Sequence, residues 1–184
     1  MNEIFMAYQG EMALKGLNRR SFESMLEKNL RRRLKSLGAF DVRTSQSTIY
    51  ITPKGEVDAD AAFERIRTTF GLAAVTRAVG CDKTLESICE TAETMLGEQL
   101  RNAKTFKVTS KRADKTFPMT SMELSAQVGG YLLSKHPHLK VDVKDPEVVV
   151  FCEVRRIGTP WRSAEAIISG HTYSEVETTT ATGS

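Results

Sequence analysis

Residues 20–52, RSFESMLEKNLRRRLKSLGAFDVRTSQSTIYIT, decide the fold. Phe22, Leu26, Leu30, Leu34 and Leu37 recur at steps of four and three, which puts them on one stripe of a helix over about residues 20–36. Gly38 stands where such a helix would be capped. The period then changes to two. Short strands are expected near 40–45 and 47–52, the second alternating as Thr48-Ile49-Tyr50-Ile51, and Pro53 and Gly55 end it.

Working outward, residues 3–9 (EIFMAYQ) read as a buried strand, and Gly10 and Gly16 bracket a loop before the helix. Downstream, Ala62, Phe63, Ile66 and Phe70 share one side of a second expected helix over about residues 58–70, and a strand near 74–80 follows. The order β-α-β-β-α-β is the ferredoxin-like pattern, here in residues 1–80. That fold hosts many functions and names none.

A second, α/β unit is expected from residue 81. Thr84 is positioned to cap a helix carrying Leu85, Ile88, Ala92, Met95 and Leu96, and Thr120-x-x-Glu123 is a capping box before Leu124, Val128 and Leu132. His136-Pro137 ends that helix, and strands are expected at 105–111, 139–143 and 147–154. The class is therefore α+β. From residue 157 to 184 periodicity fades into a Thr-rich tail expected to be weakly ordered.

The chain of 184 residues has a net charge of only +3, but its cations are clustered. From Lys15 to Lys35 there are eight Lys/Arg against two Glu, and from Lys104 to Lys115 five against one Asp. Acidic residues gather elsewhere, as at Glu56, Asp58, Asp60 and Glu64, so one side of the molecule can be positive while the whole stays near neutral. No signal peptide and no membrane span is legible. Cys81, Cys89 and Cys152 lack disulfide or zinc spacing, which points to a reducing cytoplasm.

Two stretches suit RNA. In GEMALKGLNRR (10–20) a helix N-terminus meets Lys15, Asn18, Arg19 and Arg20, groups that bind phosphates or sugar hydroxyls. In KVTSKRADKTFP (107–118), Lys111, Arg112 and Lys115 surround a turn before Phe117 and Pro118. Basic side chains on phosphates beside an aromatic on an unpaired base are a common way to hold single-stranded RNA, although Phe117 equally suits a plug beneath the loop. Arg31, Arg32 and Arg33 diverge by about 100° each on a helix, so they cannot converge on one phosphate. Catalytic signatures are missing. His136 and His138 could hold a metal but suggest no third ligand, and the remaining enzymatic reading is a sulfur carrier using one cysteine, Cys81 before Cys152.

GEMALKGLNRRSFE resembles the N-terminal signature of bacterial tRNA 4-thiouridine synthetases, which also serve thiamine biosynthesis as sulfurtransferases. FKVTSKRADKTFPMTSMELSAQVGGYLL, followed by KVDVKDPEVVVFCEVR, is similar to the THUMP domain of that family, here residues 81–156. The resemblance implies tRNA as partner, with THUMP gripping the acceptor end and its 3′ CCA. It implies RNA-binding positions at Lys15, Asn18, Arg19, Arg20, Lys111, Arg112, Lys115, Phe117 and Pro118, with the basic side chains holding phosphates and Phe117 and Pro118 shaping the loop that receives the acceptor end. It further implies that ATP and magnesium serve a PP-loop domain that adenylates uridine 8, with sulfur from a cysteine desulfurase. The PP-loop motif SGGxDS is missing here; Ile168-Ser169-Gly170-His171 does not match it. The expectation is thus an RNA-binding region with no catalytic residue and no cofactor of its own. Its final THUMP strand is expected to be altered or missing, and an exposed sheet edge would then favour a homodimer or another partner.

Overall fold

A computed structural model describes residues 2–10, 18–45, 47–156 and 166–172. The chain divides into two compact units, with the division between Arg77 and Ala78.

In the first unit, β1 (Asn2–Gln9) contributes Ile4, Phe5, Met6 and Ala7, all buried. An unbroken apolar run of this kind marks a strand covered on both faces. Helix α1 (Arg19–Leu34) turns Leu26, Leu30 and Leu34 inward and runs into a 3-10 turn, Lys35–Leu37. Strands β2 (Phe40–Ser45) and β3 (Thr48–Pro53) form an antiparallel hairpin in which Ser45 faces Thr48. Its turn holds Ser47 at φ +71°, the positive value that short hairpin loops require. β3 also pairs antiparallel with β1, and the strand order is β2-β3-β1 followed by β4 (Leu72–Cys81).

Helix α2 (Ala59–Arg67) starts at Asp58, whose carboxylate accepts from the Ala61 N–H at 3.1 Å. It ends earlier than its periodicity suggests. The hydroxyls of Thr68 and Thr69 turn back onto the carbonyls of Glu64 and Arg65, both at 2.8 Å, and Gly71 follows at φ +98°. Phe70, expected on the apolar side of the helix, therefore lies beyond it and is 91% exposed.

In the second unit, helices α3 (Leu85–Asn102) and α4 (Ser121–Lys135) pack on a sheet ordered β4-β8-β7-β5-β6. β5 is Thr105–Arg112, β6 Lys140–Val141, β7 Val148–Val154 and β8 Ala166–Thr172. β5 pairs parallel with β6 and β7, while β8 runs antiparallel to both β7 and the end of β4. The Thr84 cap and the Thr120/Glu123 capping box form as their sequences suggest. β6 is shorter than the expected 139–143, because Asp142 Oδ1 accepts from the N–H groups of Lys144 and Asp145, each at 3.0 Å, and bends the chain away.

The final THUMP strand, expected to be altered or missing, is present as β8, inside the segment expected to be weakly ordered. Ala166, Ile167, Ile168 and Ser169 are all buried, so the strand shows no alternation to read. Gly170 looks like a strand breaker, yet a Cβ there would stand 2.5 Å from Leu96 Cδ2 of α3. The glycine is what lets helix and strand close together. With β8 between β4 and β7, the sheet edge on which a dimer was argued is paired. The rest of the segment lies outside the described residues.

Candidate nucleic-acid interface

The loop after β5 is fastened at nearly every residue. Ala113 N–H donates to the Val154 carbonyl at 2.9 Å. Asp114 Oδ1 accepts from the Thr116 N–H at 2.9 Å and its hydroxyl at 2.6 Å, while Oδ2 pairs with the Lys83 ammonium. The hydrogen bond from Lys83, then those from Thr116, hold the Asp114 carboxyl well below the usual carboxylate range. Phe117 is 5% exposed and belongs to the core under the loop. Arg112 Nη1 donates to the carbonyls of Phe117 at 3.4 Å and Met119 at 3.3 Å. Thr120 and Glu123 then close the capping box, at 3.1 and 3.2 Å.

The two kinds of residue nominated from sequence thus separate. Lys111, near the end of β5, is exposed, as are Lys115 and Pro118 on the anchored loop. Of the two readings open for Phe117, the plug beneath the loop is the one the structure shows, and its ring is not presented to a base. Arg112 is corrected in part, since its guanidinium is committed to two backbone carbonyls of that same loop.

In the first unit, Asn18 precedes α1 without a side-chain cap bond and is exposed, as are Arg19 and Arg20. Arg19 pairs with Glu23 at 3.2 Å and reaches the Ser47 hydroxyl, whereas Arg20 makes no ion pair among the described residues. Lys15 lies outside the described residues. Arg31 turns to the Val42 carbonyl at 2.7 Å and Arg33 to Thr68 Oγ1 at 2.8 Å, the divergence that helix geometry requires.

Two further lysines of this unit were not nominated from the sequence. Lys107 lies on the same face of β5 as Thr109 and Lys111, in register with Val149, Phe151 and Glu153 of β7. The alternation Lys-x-Thr-x-Lys was the signal for it. Lys83, which neutralises Asp114, is 31 positions away and leaves no local signal.

The family model of the ThiI ferredoxin-like domain matches residues 4–76, and that of the THUMP domain matches residues 82–158. The chain thus carries a ThiI ferredoxin-like domain followed by a THUMP domain. A probable tRNA sulfurtransferase of Acetivibrio thermocellus is 40% identical over 158 residues, covering 84% of this chain and 40% of that protein. One of Alkaliphilus metalliredigens is 40% identical over 157 residues, with the same coverage. The chain thus spans about 40% of the length of these curated relatives. Among solved structures, a 4-thiouridine synthetase in complex with RNA and ATP superposes with a TM-score of 0.71 at 23% identity, over 94% of this chain and 42% of that one. A Pyrococcus horikoshii Ot3 protein superposes at 0.72 with 22% identity, over 94% and 55%. These two likenesses establish the fold.

The THUMP unit offers little nucleophilic chemistry. Burial pushes the Cys81 and Cys89 thiols up and carries Cys152 up to about 12, the opposite of what a sulfur carrier needs. His136 Nε2 meets Glu93 Oε2 at 2.7 Å, and His138 Nε2 reaches the carbonyls of Leu100 and Ala103 at 3.2 and 3.1 Å. Among the described residues no three His, Cys, Asp or Glu side chains converge on a metal position, and no helix is long and apolar enough to cross a membrane.

Proposed function

We propose that this chain is the tRNA-binding region of a uridine-8 4-thiouridine sulfurtransferase, and that its THUMP unit receives the acceptor end with its 3′ CCA. One observation carries the reading. The loop after β5 is locked from below by Phe117, Arg112 and the Lys83–Asp114 pair, and it leaves Lys115 exposed on its outside, next to Lys111 exposed near the end of β5. Cations held on an immobile loop lose little freedom on meeting phosphate, which is what a grip on a nucleic-acid end requires. The sulfurtransferase relatives and the THUMP match supply the substrate class.

In this reading, thiolation, and through it a role in thiamine biosynthesis, belongs to a PP-loop domain that uses ATP and magnesium and receives sulfur from a cysteine desulfurase. The described residues contain no acidic cluster suited to magnesium, so no step of that chemistry is assigned to them.

The test is binding of a tRNA transcript by wild type and by a Lys111→Ala/Lys115→Ala variant, across a salt series, with and without the 3′ CCA. The variant should bind more weakly, with the slope of log K against log salt reduced by about one to two. The wild type should lose affinity when CCA is removed. Equal binding by both proteins to both RNAs would overturn the acceptor-end grip.

A further inference from the structure

β5 and β7 lie side by side and parallel, and one face of the pair is turned to the helices. On that face the Ser125 hydroxyl of α4 donates to Ser110 Oγ at 2.7 Å, and Val148, Val150, Cys152 and Val154 are buried. The residues between them point the other way, because side chains alternate along a strand. There Lys107 is in register with Val149, Thr109 with Phe151 and Lys111 with Glu153. Neighbouring strands stand about 5 Å apart, so these six side chains form one continuous surface. Thr109 and Lys111 are exposed, Lys107 is half-buried, and Phe151 is 37% exposed.

The surface has definite limits and a definite charge. Toward β6, Lys140 is exposed and in register with Thr105, which adds a cation on the same side. Toward β8, Ile167 and Ser169 are in register with Glu153 and Phe151 and are buried, so the open strip ends at β7. Among the six residues in register, Glu153 alone is acidic. Lys107, Lys111 and Lys140 make no ion pair among the described residues. Lys107 and Lys111 are about 13 Å apart along the strand, so each takes a phosphate of its own. Phe151 stands level with Thr109, midway between them. Lysine is depleted at the centre of protein–protein patches, which argues against a protein partner. An open sheet face with an aromatic ring beside a row of cations suits a single RNA strand, its bases against the ring and its backbone on the basic side chains.

We propose that a single RNA strand lies along β5 on this open face, with phosphates on Lys107 and Lys111 and an unpaired base against Phe151. The proposal rests on the RNA-binding function proposed above and extends it from the loop onto the sheet.

The full chain is titrated with a tRNA transcript and with a blunt, fully paired RNA duplex across a salt series. Lys107→Ala should weaken tRNA binding and lower the slope of log K against log salt by about one. Phe151→Leu should weaken tRNA binding about tenfold, the scale of one lost base stack, with the slope unchanged and duplex binding untouched. Phe151→Trp should keep tRNA affinity. Ultraviolet cross-linking of wild type to the tRNA should leave a nucleotide adduct on the tryptic peptide 145–155, a readout that needs no variant to fold. Wild-type affinity in Lys107→Ala or in Phe151→Leu, or no adduct on that peptide, overturns the strand on the sheet; if Lys111→Ala/Lys115→Ala still weakens binding, the loop's function stands. Equal losses on duplex and tRNA in Phe151→Leu overturn the base contact. A wild type that fails to bind tRNA overturns both readings, and a wild-type dimer that Phe151→Leu dissociates gives the face to a second copy and overturns the strand.

Discussion

Phe117 and Phe70 both sit in turns just outside regular structure, and each lies near a stretch rich in Lys and Arg. One ring is 5% exposed and the other 91%. From sequence, Phe117 has two readings, a ring for an RNA base or a plug beneath the loop, and Phe70 is placed on a helix's apolar side. What separates them is what holds the neighbouring backbone. At Phe117, a salt bridge from a distant lysine and an arginine on two carbonyls draw the loop down onto the core. At Phe70, the helix has ended at Arg67, so the period that put residue 70 in line with Ile66 no longer applies. A helical pattern predicts burial only while the helix lasts, and threonine hydroxyls returning to the last carbonyls are one way it stops.

The largest effect that would break this contrast is at the plug. Phe117→Ala should cost about 3–5 kcal/mol, read from urea unfolding of the full chain; a loss below about 1 kcal/mol would mean that the loop does not rest on the core. Asp114→Asn should come next. Because the folded carboxyl sits below its unfolded value of about 3.9, its contribution is complete above that pH and is lost as pH falls through the lower folded value. The variant should therefore melt earlier at neutral pH and show a shallower fall in melting temperature between about pH 4 and pH 2 than wild type. Parallel curves would sever Lys83 from the loop's stability. Gly170→Ala should cost about 1–3 kcal/mol through the clash with Leu96, and a neutral result would place β8 off α3. Thr120→Ala, which removes one half of the capping box behind the loop, should cost about 1 kcal/mol in the same unfolding assay. Smallest is Phe70→Leu, whose stability should stay within about 0.5 kcal/mol of wild type, because an exposed ring has little folded-state contact to lose.

Much of the architecture was legible because local signals agreed with the tertiary answer. The Leu26-Leu30-Leu34 stripe, the alternation of Thr48–Ile51 and the Thr120/Glu123 box each name one structure and receive it. The exposure of Lys111 and Lys115 was legible too. The choice between the two readings of Phe117 was not, nor was the turn of Arg112 onto two carbonyls, because both depend on how the loop is held down, in part by Lys83 far away in the sequence. β8 was hidden for a related reason. A strand with both faces covered loses the period of two, and its glycine is explained only by Leu96, seen across the fold.

The position of β8 also has a consequence for the order in which the protein is made. Both of its neighbours, the end of β4 and all of β7, leave the ribosome before it does. Until residues 166–172 emerge, those two strands have no common partner, and each offers an unpaired edge to other nascent chains. The loop inherits that delay, because Ala113 is bonded to Val154 and Val154 is in register with Ala166. The part of the chain nominated to hold RNA thus becomes firm only when β8, which follows both of its partners in the sequence, slots between them.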